Sequence, residues 1–342
     1  MGMTEFDENC RKRPLQNISA LATPNQDAQR SFSSISTPAN GAYPTRTFHG
    51  EHGAREYSLY LPNHIRANAA LIVMLHGCGQ TSHDFSGGTN MNLLAERHGF
   101  VVAYPCQALD ANRMRCWNWY KPGHQRRDSG EPSIIAGITR QVIQDFEIDH
   151  DHVYIAGLSA GGAMAAVLTA TYPELYAAAG IHSGLPYGCA VDLESALRAM
   201  RGDVITKHFC RSVFAEPVRT IVFHGTDDCQ VHPCNSNTIF AQACSIDSTS
   251  SARFVGEGRG RRYFRTSIFD GSCAPHAEHW LVEGLGHAWS GGCAAASHTD
   301  SNGPDASAEM IRFFLEGRFD PIFVPVRDDL EWFQHQCQTS TV

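Results

Sequence analysis

Gly157-Leu158-Ser159-Ala160-Gly161 sets a serine between two glycines, a spacing that can present a hydroxyl as a nucleophile. Alone, the five residues are a weak pattern, because Gly and Ser are common. Their surroundings strengthen it. The apolar run Val153 to Ala156 predicts a buried strand leading in, and an Ala-rich stretch from Ala160 predicts a helix leading out. Strand, sharp turn and helix make a nucleophile elbow, whose flanking positions are too tight for side chains. The plain alternative is a Gly-rich strand-to-helix turn with an incidental serine.

A serine hydroxyl needs a base to take its proton. Of the 18 histidines most must be bland. On an elbow scaffold the order is Ser, then acid, then His, the last two on loops after later strands. Glu278 to Glu283 reads as the last strand, and Gly284-Leu285-Gly286-His287-Ala288-Trp289-Ser290-Gly291-Gly292 follows it, with His287 at the tip of a Gly-rich loop. His276 and His279 flank or sit in the strand and are expected to be surface or packing residues. The acid should follow the strand Thr220 to Phe223, where His224-Gly225-Thr226-Asp227-Asp228 offers two neighbouring aspartates. Its task is to hold the imidazole tautomer and stabilise the imidazolium, and the local residues leave both open. Acyl chemistry also needs donors for a developing oxyanion. Ala160 N–H, at the positive end of its helix, is one. A second is expected from His76-Gly77-Cys78-Gly79-Gln80-Thr81, after the strand ending at Leu75.

Such side chains converge only if strands and helices alternate. Arg55 to Leu61 alternates polar and apolar, as a half-buried strand does. Ala70 to Leu75, Phe100 to Tyr104, Val153 to Ala156 and Thr220 to Phe223 are instead continuously apolar, the pattern of strands covered on both faces. Between them, Ile134, Ile135, Ile138, Val142 and Phe146 recur at helical spacing after Pro132. Further helices are expected from Ala160 to about Tyr172, near Leu193 to Met200, and from about Pro304 to Leu315. The class is α/β: a mostly parallel, doubly wound sheet with helices on both faces. Residues 1 to 42, rich in Asn, Ser, Thr, Pro and Gln, read as a disordered tail. The catalytic domain is expected over 43–318, with 183–217 a lid or rim, and 319–342 as an extension.

Composition narrows the function classes. Of 342 residues, 42% are hydrophobic and 18% charged, ordinary for a globular enzyme. A net charge of −8, with only short basic clusters at Arg11–Arg13 and Arg259–Arg262, argues against a nucleic-acid partner. No apolar run approaches the ~20 residues of a bilayer span. The first forty residues lack a secretory apolar core, so the expected address is the cytoplasm. There the twelve cysteines should be mostly reduced. Cys229 and Cys234, near His224 and His232, do not follow a standard zinc spacing, and no metal or other cofactor is expected.

Taken together, His76-Gly77-Cys78, Cys116-Trp117-Asn118-Trp119, Gly157 to Met164, His224-Gly225-Thr226-x-Asp228-x-x-Val231, Gly286 to Gly292 and Gly303-Pro304-Asp305-Ala306-Ser307 resemble the poly(3-hydroxybutyrate) depolymerase family of esterases, over roughly residues 45 to 317. The resemblance implies the α/β-hydrolase fold and a serine esterase. It favours Asp228 over Asp227 as the acid and implies Cys78 as the second oxyanion donor. It also implies Trp117, Trp119 and Trp289 as aromatic walls of a substrate groove, with core packing as the other reading. Cys78 and Cys116 are a candidate disulfide. The substrate would be a hydroxyalkanoate polyester or its oligomers, with feruloyl and acetylxylan esters as the alternative and granule binding without catalysis as a third. Secreted members carry signal peptides and polymer-binding modules not seen here, so the intracellular branch is the nearer comparison. Oligomeric state is left open.

Overall fold

Long β-branched and aromatic runs flanked by turn residues dictate the central layer. In a computed structural model, which describes residues 41–203, 217–244, 250–272 and 274–315, these runs pair into one ten-stranded sheet. The strands are β1 (Thr45–Gly50), β2 (Gly53–Tyr60), β3 (Leu71–Leu75), β4 (Val101–Pro105), β5 (Val153–Leu158), β6 (Ala178–His182), β7 (Arg219–Gly225), β8 (Ser250–Gly258), β9 (Arg261–Phe269) and β10 (Ala277–Val282). Their spatial order is β1-β2-β4-β3-β5-β6-β7-β10-β9-β8. The six from β4 to β10 run parallel, and antiparallel pairs flank them on both edges. The continuously apolar strands β3, β4 and β5 are buried along their whole length, as strands covered on both faces must be.

The helices are α1 (Ser82–Thr89), α2 (Met91–His98), α3 (Gly130–Phe146), α4 (Ala160–Thr171), α5 (Leu193–Met200), α6 (Cys234–Ala243) and α7 (Ala306–Leu315). Two apolar clusters lie on opposite faces of the sheet. One joins Leu71, Val73 and Ile155 to α3 and α4; the other joins Ile72, Met74 and Tyr154 to α7. Alternate residues of one strand thus feed opposite cores, the period of two expected of a strand. This is the mostly parallel, helix-covered sheet anticipated from the sequence.

The differences have local causes. The tail expected over 1–42 lies outside the described residues except for its last two, and there Ala42 already bridges to Leu61. The rim expected over 183–217 is described only to 203 and at 217; within it α5 starts on a capping box between Asp192 and Ser195. The extension over 319–342 lies outside the described residues. The basic cluster at Arg259 is the turn of the β8–β9 hairpin: Arg259 and Gly260 both have positive φ, 45° and 80°, as a two-residue hairpin turn of the primed type requires.

Among the described residues, no helix is long and apolar enough to cross a membrane.

Candidate active site

The parallel register decides which loops meet. Leu75 pairs with Gly157, Leu158 with His182, His182 with Phe223 and Gly225 with Val282, so the carboxyl ends of five strands line up. The loops leaving those ends carry the oxyanion segment, Ser159, the aspartates and His287.

Ser159 sits between β5 and α4 at φ 56° and ψ −119°, a backbone conformation that side chains rarely tolerate. The geometry survives because glycines stand two residues away on either side. A Cβ at Gly161 would overlap Leu75 O, and one at Gly157 would overlap the backbone of Gly161. That close approach seats the first turn of α4 on the end of β3. There the oxyanion segment begins, and a Cβ on Gly77 would lie 3.6 Å from the Ser159 Cβ. Ser159 keeps partial exposure although α4 is buried.

His287 Nδ1 lies 2.7 Å from Asp228 Oδ2. Asp228 is buried, and its Oδ1 accepts the N–H groups of Gln230 and Val231 at 3.0 and 2.9 Å. Burial alone would raise its pKa. The facing His287 and the His224 ring, whose Nε2 is 3.3 Å from Oδ2, outweigh that and hold the carboxyl well below its ordinary range. An ionised Asp228 fixes the His287 proton on Nδ1 and leaves Nε2 as the base. Asp227 is exposed and accepts the Thr226 hydroxyl at 2.9 Å, its one hydrogen bond through the side chain among the described residues. The acid and base loops are laced together: Thr226 N–H donates to Val282 O, Asp227 N–H to Leu285 O, and Gly284 N–H to Thr226 Oγ1. Among the described residues, no hydrogen bond joins Ser159 Oγ to His287. Catalytic contacts of this kind often tighten only when substrate binds.

The N–H groups of Cys78 and Ala160 donate to no backbone acceptor among the described residues, whereas the N–H groups on either side of Cys78 are engaged: Gly77 N–H with the side-chain Gln80 Oε1 at 2.9 Å, and Gly79 N–H with Met114 O at 2.8 Å. Two donors on adjoining segments beside Ser159 are what an oxyanion hole needs. The loop that presents Cys78 is braced on three sides. A disulfide joins Cys78 to Cys116, the candidate pair. His76 accepts the Gln107 N–H at Nε2, so its proton lies on Nδ1, 2.8 Å from Gly77 O. Gln80 bridges to the loop after His287 by donating to Ser297 O at 3.0 Å. Behind these, the buried Glu131 accepts from Gln107 Nε2, Asn118 N and Asn118 Nδ2, clamping the segment that carries Cys116.

The tryptophans require a correction. Trp117 and Trp289 are 0% exposed and Trp119 is 7% exposed. Trp117 donates Nε1 to His76 O, and Trp289 donates Nε1 to Ser307 Oγ while meeting Phe85 edge-on. A ring without accessible surface cannot wall a groove. Trp117 and Trp289 brace the oxyanion and base loops from beneath, and Trp119 offers only a margin of its surface. His224, one of the residues weighed for a metal, is fully buried, with its Nε2 2.8 Å from Val231 O.

Two expectations follow from this geometry. The Cys78–Cys116 bridge spans 38 residues, so its loss should cost about 4 kcal/mol by loop entropy. Thermal unfolding with and without a thiol reductant measures it, and an unchanged midpoint would contradict it. The second concerns acid. Burial pushes His76 and His279 each down to about 4, His279 with help from nearby His224. Their folded pKa values lie below the unfolded value of about 6.5, so the neutral buried form stabilises the fold above that pH. That stability is lost as pH falls from about 6.5 toward 4, because the unfolded chain binds the extra protons. The melting midpoint should therefore drop across this window, and a flat profile would refute the assignment.

A sequence model described as "Esterase PHB depolymerase" matches residues 55–262. Poly(3-hydroxyalkanoate) depolymerase C of Paucimonas lemoignei is 31% identical over 241 residues, 67% of this chain and 57% of that protein. The chain thus matches little more than half the length of that relative. Feruloyl esterase B of Neurospora crassa is 26% identical over 243 residues, 67% of this chain and 81% of that protein. Among solved structures, an acetyl xylan esterase from Aspergillus awamori superposes with a TM-score of 0.63 at 23% identity, covering 80% of this chain and 99% of that one. The last likeness bears on the fold alone.

Proposed function

The chain belongs to the esterase PHB depolymerase family, and from that premise we propose that it hydrolyses carboxylic esters through an acyl-enzyme on Ser159. The observation that carries the proposal is the 2.7 Å pairing of His287 Nδ1 with the buried Asp228, on loops laced together at the carboxyl end of the sheet, where Ser159 also sits. Ser159 Oγ attacks the ester carbonyl while His287 Nε2 takes its proton. The carbonyl oxygen becomes an oxyanion and accepts the N–H groups of Cys78 and Ala160. His287 then returns the proton to the leaving alkoxide, releasing the alcohol and leaving the acyl group on Ser159. Water, deprotonated by the same imidazole, attacks the acyl-enzyme and frees the acid and the serine.

Within that chemistry the substrate we propose is a 3-hydroxyalkanoate polyester or its soluble oligomers. The likeness to a poly(3-hydroxyalkanoate) depolymerase over 241 residues supports it. A feruloyl or acetylxylan ester is the second reading, favoured by the match over 81% of feruloyl esterase B. Rates on hydroxybutyrate trimer, amorphous polyhydroxybutyrate, methyl ferulate and acetylated xylan distinguish them. Turnover of the trimer well above the other small esters is the expected result. Preference for ferulate or acetyl groups would replace the polyester reading and leave the triad intact.

A further inference from the structure

Beside His287 the fold brings a second histidine to the site. His182 ends β6, and its carbonyl oxygen accepts the Ser159 N–H at 2.9 Å. Its ring Nε2 accepts the N–H of Ser290 at 3.1 Å, three residues beyond His287. A backbone N–H can only donate, so Nε2 carries no proton. The ring proton is on Nδ1, 3.2 Å from Ser183 Oγ. The imidazole is fully buried, stacked on Phe223 and Trp289 with centroids 5.8 and 5.1 Å away. The titratable groups that act on it are His224 and Asp228 from the end of β7 and the loop after it, and His287 from the loop after β10. Burial pushes its pKa down to about 3, with His224 and His287 acting in the same direction and Asp228 against them. It therefore stays neutral near neutral pH, with Nε2 kept as the acceptor of the Ser290 N–H.

We propose that His182 is a positioning residue: its Nε2 fixes the loop bearing His287 against the turn bearing Ser159, which its own backbone already holds. Asp228 grips the loop at His287 itself, and His182 grips it where the chain leaves. The inference rests on the Ser159–Asp228–His287 reading and deepens it. Simple core packing would need only a flat apolar ring at this position, whereas positioning needs the acceptor.

His182→Phe keeps an aromatic ring and removes the acceptor. His182→Gln removes the ring and restores an acceptor near Nε2. The readout is the rate at which a fluorophosphonate labels Ser159, with melting midpoints recorded alongside so that rescue by the acceptor is read apart from stability. Displacements of about 1 Å in such sites cost on the order of 100-fold, so His182→Phe should label about 10- to 100-fold more slowly. His182→Gln should recover to within about threefold of wild type even if it melts lower. Labelling of His182→Phe at the wild-type rate overturns the proposal, as does equal slowing in both variants. If His182→Phe does not fold, His182→Met takes its place under the same criteria. A wild-type protein left unlabelled would instead sink the triad reading itself, a result distinct from labelled but unaffected variants.

Discussion

Asp228→Asn lowers kcat about 10⁴-fold, the scale seen when the acid of such a triad becomes an amide, while Asp227→Asn stays within about twofold, as surface substitutions away from a site do. The contrast follows from what each carboxylate touches. Asp228 Oδ1 accepts two backbone N–H groups, from Gln230 and Val231, and Oδ2 faces His287 Nδ1. An asparagine must leave its oxygen with the two backbone donors, which puts the amide NH₂ opposite His287. The imidazole can then pair only by accepting at Nδ1 and carrying its proton on Nε2, the wrong tautomer for a base. His224 Nε2, 3.3 Å from the same position, adds a second donor against that NH₂. Asp227 is exposed, and among the described residues its carboxylate meets its neighbour's hydroxyl alone. Steady-state kinetics on p-nitrophenyl esters measure both variants. A loss under tenfold for Asp228→Asn, or an equal loss for Asp227→Asn, would move the acid elsewhere.

The sequence exposed the site through its glycines and its order. Gly157 and Gly161 mark a turn that no other residue fits, and His287 stands out because a turn needs no histidine. The acid was harder. Asp227 and Asp228 differ by burial and by the direction the chain takes after Gly225, and neither leaves a compositional trace. The central strands were visible because both faces are covered and every residue is apolar. β6 was not: Ala178-Ala179-Gly180 offers no β-branched signal, and a Cβ on Gly180 would overlap Met310 of α7, so the small residues answer to helix packing. With β6 went His182. α1 was hidden by Gly87 and Gly88 in its last turns, although the capping box of Thr81 and Asp84 was there to be read. The tryptophans misled for a different reason. Large aromatics near a catalytic histidine fit a groove as well as a core, and only the tertiary structure shows Trp289 paired with Ser307 beneath the loop.

Ser159→Ala should reduce turnover about 10⁶-fold and abolish fluorophosphonate labelling, because nucleophile and base act as a unit. KM for short esters should change little, since the oxyanion donors remain. Stability provides a second, independent measure. At φ 56° and ψ −119° Ser159 holds a conformation costly for any residue with a Cβ. Alanine inherits that strain, so Ser159→Ala should melt near wild type. Glycine is released from strain of about 1–3 kcal/mol, which exceeds the roughly 0.4–1 kcal/mol its extra freedom gives the unfolded chain, so Ser159→Gly should be equally inactive yet more stable by about 1 kcal/mol net. Two inactive variants separated in stability are the expected signature of a nucleophile held under backbone strain. Normal turnover by Ser159→Ala would remove the serine mechanism. Equal melting of the alanine and glycine variants would keep the mechanism but deny that the elbow stores strain.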